Sequence, residues 1–162
     1  MSASTVTREG ARAGIAGALV VAVWFFFVDL ISGQALSTPA TLGAALVSVL
    51  RGNQHLGFIT HVAVYTVFHF AAFIIVGIVA AALLRASDAE PSLMAGLFVL
   101  FVVIEVGFVG FTYLLSQGSS LGRIAWYQAG AANLLSAMVM GRILVRQHPQ
   151  ALENMAGALR GM

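Results

Sequence analysis

The sequence predicts an all-α integral membrane protein, a four-transmembrane-helix antiparallel bundle with a short interfacial helix in its first external connection. Two observations carry that expectation. Of 162 residues, 60% are hydrophobic and only 9% are charged, whereas a soluble domain of this size turns about a quarter of charged residues toward water. The apolar residues also gather into four runs, at 14–32, 59–84, 92–116 and 124–145. Each comes close to the roughly 20 residues a helix needs to cross about 30 Å of hydrocarbon. No run alternates polar and apolar residues as a membrane barrel strand does, and helices are then what satisfies the backbone in lipid.

The first run follows a polar segment, 1–13, expected on the cytoplasmic side. A charged start before an apolar run is also the pattern of a secretory signal. This run outlasts the roughly 7 to 15 residues of a signal core, carries Asp29 near its end, and meets only a poor cleavage site at Gly33-Gln34-Ala35, so it is expected to span. The connection 33–58 contains Ser37-Thr38-Pro39, an N-cap followed by proline at a first helical position. A helix over about 39–51 is expected there, lying in the outer interface or dipping into the bundle, with an ordered loop as the alternative. Short polar connections, RASDAEP at 85–91 and SQGSSLGR at 116–123, make the later helices antiparallel neighbours. The membrane domain is expected to cover 14–146, with 147–162 as a cytoplasmic tail.

The charge pattern orients the bundle. All eight basic residues are arginine, and the net charge is +2. Arg8, Arg12, Arg85, Arg142, Arg146 and Arg160 fall on one side, against Arg51 and Arg123 on the other. The positive-inside rule then places both termini in the cytoplasm of a multi-pass cell (inner) membrane protein. Arginines at helix ends are orientation signals, not a nucleic-acid footprint. With no cysteine, disulfides, thiolate metal sites and thiol chemistry are excluded.

Ionisable residues inside an apolar helix must find a partner, a protein interior or water. Glu105 sits at the centre of its run. His69 lies about 4 to 5 Å outward from the centre of the second run, and Asn133 falls at a similar depth. These three are expected to form a proton or ligand site. Asp29, His61, Tyr65, Thr112, Tyr113 and Gln128 are expected to line an outer vestibule leading to it. The opposing reading is that Glu105 and His69 form a hydrogen-bonded pair that only fixes packing. Small residues at steps of four, Ala125, Ala129, Ala137 and Gly141, with Asn133 among them, predict a close helix contact, and Gly77 a second one.

Known chemistries narrow the functional choice. His61 and His69 stand about 12 Å apart along one helix, so they cannot clamp a single haem within one chain; only a dimer would supply facing imidazoles. His69, Glu105 and Asn133 offer too few strong ligands for a metal site, and none is expected. Neither Gly-x-Ser-x-Gly nor His-Glu-x-x-His occurs, and there is no phosphate-binding loop, so the expectation leans away from an enzyme. What remains is a proton- or small-ion-handling bundle, a non-catalytic accessory or assembly subunit, or a binder of a quinone-like lipid-soluble ligand. The expected partners are the bilayer and either further copies of the chain or another membrane subunit.

Overall fold

A computed structural model describes residues 3–52, 56–87, 93–116 and 126–147. Five helices follow one another: α1 Ala3–Ile31, α2 Ser37–Arg51, α3 Phe58–Ala86, α4 Met94–Ser116 and α5 Trp126–Gln147. No strand occurs among the described residues. Three stretches, Ser4–Ile31, Phe58–Ala86 and Tyr127–Gln147, are long and apolar enough to cross a membrane; Ala95–Phe108 in α4 is a shorter apolar stretch. The helix starts expected at Ser92 and Ile124, most of the connections around them, and the tail beyond Gln147 lie outside the described residues.

The first helix begins at Ala3, not at the Gly14 where the apolar run begins. Val6, Gly10, Ala13 and Gly17 recur at steps of three and four, which places them on one helix face. Val6 and Ala13 are buried in a core with Ala80, Ala81 and Leu84 of α3 and Met140 and Leu144 of α5. Sequence polarity at Arg8, Glu9 and Arg12 hides this face from a reading based on apolar runs alone.

The contact between α1 and α3 is backbone against backbone. A Cβ added at Gly10 would stand 2.6 Å from the Gly77 carbonyl oxygen, and one at Gly14 would stand 2.7 Å from the Ile74 Cα. Conversely, a Cβ at Gly77 would stand 2.7 Å from the Gly14 nitrogen. Backbone atoms cannot swing aside as side chains do, so these positions require glycine. Residue numbers fall along α3 as they rise along α1, which makes the pair antiparallel. Gly17 turns toward α5, where an added Cβ would meet the Ser136 hydroxyl at 2.7 Å.

The buried face of α5 runs through Ala129, Ala132, Ser136, Met140 and Leu144. It is rotated from the expected stripe: Ala129 belongs to it, while Gly141 has nothing within 4 Å of where a Cβ would stand. Small residues (Ala129, Ala132 and Ser136) and the larger Met140 and Leu144 share this buried face.

The stop between α1 and α2 has a full chemical account. Gly33 takes a left-handed φ of 72°. Its amide bonds the Leu30 carbonyl and the Gln34 amide bonds the Asp29 carbonyl, both at 3.0 Å, the paired pattern of a Schellman stop. Leu36 also turns left-handed, at φ 63°, and α2 starts at Ser37. The helix expected over about 39–51 thus begins two residues earlier. It packs on the start of α3, where a Cβ at Gly43 would stand 2.6 Å from the His61 carbonyl carbon. Leu42, Leu46 and Val47 are buried, while Val49 and Leu50 are exposed.

Candidate functional site

His69 is placed by the glycine contact. Gly10 faces Ile78 and Gly14 faces Ile74; one further turn of both helices brings His69 beside Ala18. Its imidazole Nε2 lies 3.1 Å from the Ala18 carbonyl oxygen. A carbonyl only accepts, so Nε2 carries the proton and donates. The ring stacks on Tyr65 at 5.5 Å between centroids and lies 4.7 Å from the ring of Phe73. This is a buried, oriented imidazole tied to α1.

Glu105 occupies the middle of α4. Its carboxylate accepts a hydrogen bond from the Asn133 side chain of α5. The other oxygen, Oε1, is buried and has no hydrogen-bond partner among the described residues. An acceptor withdrawn from water and left unmatched costs about 1 to 3 kcal/mol, more when charged, so the arrangement needs an explanation.

His69, Glu105 and Asn133 are brought together in the wall of one elongated cavity of about 320 Å³, bounded mainly by α3, α4 and α5. Along α3 its wall runs from Tyr65 to Leu84, about 28 Å at the helical rise. The polar wall residues Tyr65, His69, Glu105, Asn133 and Ser136 occupy one half of that length. The remainder is apolar, with Val76, Leu84, Leu97, Leu100 and Leu144 among its walls. Ala137 and Gly141 also line it, so part of the expected packing stripe faces the cavity. A mostly apolar slot whose few polar groups gather in one half is complementary to an amphiphile.

The expected vestibule is divided among different tasks. Asp29 is buried at 3% exposure and anchors α2: Oδ2 accepts from the Thr38 amide at 2.8 Å, and Oδ1 from the Thr38 and Ser37 hydroxyls at 2.6 and 3.1 Å. A carboxylate at a helix N-terminus satisfies an unpaired donor and opposes the helix dipole. Gln128 accepts from the Trp24 indole at 3.0 Å, and both line a separate shallow groove between α1 and α5. His61 sits at the α2–α3 contact. Among the described residues of this set, only Tyr65 joins the cavity wall. Thr112 and Tyr113 are on α4, but their side chains lie outside the described residues.

Two features escaped the sequence reading. Gly10-x-x-x-Gly14 is a visible small-residue motif, overlooked because it precedes the apolar run. The role of Asp29 had half a signal, the Ser37-Thr38-Pro39 start, but the carboxylate that completes it comes from another helix. Among the described residues no three His, Asp or Glu side chains gather as a metal site.

Fold and site together define a chain that is helical among its described residues, with three candidate membrane-spanning helices and a partly open, mostly apolar cavity. The chain matches no protein-family model, no curated protein and no solved structure.

Proposed function

We propose that this protein is a four-span membrane protein that binds a lipid-soluble ligand in the cavity between α3, α4 and α5. The observation that carries the reading is the slot itself, mostly apolar, with its few polar groups, His69, Glu105 and Asn133 among them, gathered in one half. On this reading α4 is the fourth span. The arginine distribution supports cytoplasmic termini, so the polar end lies toward the outer half of the bilayer. Exposed residues such as Phe98, Val103 and Val106 then face lipid, where apolar side chains belong.

Proton or small-ion handling at Glu105 is the second reading, and the buried Oε1 is the observation that favours it. A proton route also needs a chain of exchangeable groups. Toward the Leu84 end the described cavity wall offers only apolar residues, which favours ligand binding. Nothing in the packing favours an accessory-subunit role over either.

The test uses the full chain in phosphatidylcholine nanodiscs with tritiated hexadecanol. Saturable binding above that of empty nanodiscs is expected, with Gly141→Leu abolishing it while the thermal unfolding temperature is retained. Binding that never saturates, or that survives the filled slot unchanged, overturns the reading.

A further inference from the structure

The charge and hydrogen-bonding character of the polar end select among amphiphiles. Glu105 is the sole carboxylate among the described wall residues, and no arginine joins it. One of its oxygens is matched by Asn133; Oε1 is buried and unmatched among the described residues. With Glu105 ionised, an anionic head group entering here would meet a carboxylate that no arginine of the described wall offsets, while His69 commits its Nε2 proton to Ala18, the arrangement by which a site rejects a wrong ligand. A head group with only acceptors would leave Oε1 unsatisfied. One that donates satisfies it, and a charge-assisted hydrogen bond of this kind is among the stronger ones.

We infer that the cavity selects a single-chain amphiphile whose head is a hydrogen-bond donor without negative charge, the chemistry shared by long-chain alcohols, amines and quinols, with Glu105 Oε1 as the acceptor. This rests on the ligand-binding reading of the same slot. The tail runs from the Glu105 level toward Leu84 and Leu97. Such a molecule reaches the site from the bilayer, its own solvent. The head then exchanges solvation for Oε1, and the tail exchanges lipid for Val76, Leu100 and Leu144. Selectivity therefore resides in the head group, because tail transfer from lipid to an apolar slot changes little.

Hexadecanol, hexadecylamine and palmitate share one tail length and separate the head-group terms. Binding is measured for the full chain in phosphatidylcholine nanodiscs, whose lipid head carries no hydrogen-bond donor, with empty nanodiscs as the reference for partitioning. The alcohol and the amine are expected to bind saturably, and palmitate about tenfold or more weakly. Glu105→Gln, which retains shape and a carbonyl acceptor while losing the charge, is expected to narrow the gap between palmitate and the amine to within about threefold. Equal binding of all three, abolished by Gly141→Leu, overturns the head-group assignment and leaves the ligand-binding reading standing. Preference for palmitate overturns it as well. Absence of saturable binding by any of the three overturns both. Should Glu105→Gln fail to fold, the ranking of the three probes on the unaltered chain still decides the matter.

Discussion

The imidazole of His69 donates through Nε2 to the carbonyl of Ala18, 3.1 Å away and 51 positions earlier in the chain. That bond exists because Gly14 and Gly77, one turn and two turns along, let two helix backbones touch. It also fixes which face of α3 meets the cavity, since the same ring forms part of the cavity wall. His69→Phe should keep the packing while losing the bond, lowering stability by about 1 kcal/mol, a usual value for an interhelical hydrogen bond in a membrane. His69→Ala should cost about 3 kcal/mol because it also leaves a ring-sized void. Unfolding of both variants in the same detergent checks the order. Equal costs would mean that the ring's volume, not its hydrogen bond, is what α1 and α3 share.

Glycine positions divide into two kinds. Gly14→Val places carbon against the backbone of Phe73 and Ile74 and should cost about 3 kcal/mol, the upper range for overpacking. Gly141→Leu enters the open space of the cavity it lines and should stay within about 0.5 kcal/mol, as a substitution without a clash does. Thermal unfolding of the two variants side by side checks this. A large loss at Gly141 would mean that another helix or another subunit covers that face.

Removal of the Asp29 carboxylate should loosen α2 before anything else. Asp29→Ala strands the buried Thr38 amide and the two hydroxyls bonded to the carboxylate, costing about 2 kcal/mol. Asp29→Asn keeps one acceptor oxygen and should lose about half as much. Hydrogen exchange read helix by helix should show faster exchange over 37–51 in Asp29→Ala, with α1 and α3 unchanged. Uniform acceleration throughout would contradict the local role.

The long apolar helices were legible because their signal is composition and length, which sequence carries directly; three of the four expected spans reach spanning length, and α4 holds a shorter apolar stretch. The contact of α1 with α3 was less so, since Gly10 and Gly14 sit among Arg8, Glu9 and Arg12, and polarity there masks a helix face that only packing exposes. Depth arguments brought His69, Glu105 and Asn133 to one level, where a common cavity wall holds them. They could not reveal azimuth. Asp29 and Gln128, expected beside them in an outer vestibule, each turn to a partner of their own, the α2 start and Trp24. The small-residue stripe divides for the same reason: Ala129 is buried while Ala137 and Gly141 line the cavity, and a row of small residues does not say whether a helix or a cavity adjoins it.

The most direct test of the cavity as a ligand site is the map of covalent labelling by a long-chain alcohol carrying a photoreactive diazirine near its tail end. With the probe bound in the slot, labels should fall on Ala80, Leu84, Leu97 and Val145, which line its apolar end. Excess hexadecanol should remove them, and so should Gly141→Leu. Labels confined to lipid-facing residues such as Val67, Phe98 and Val103, unchanged by either treatment, would contradict the account.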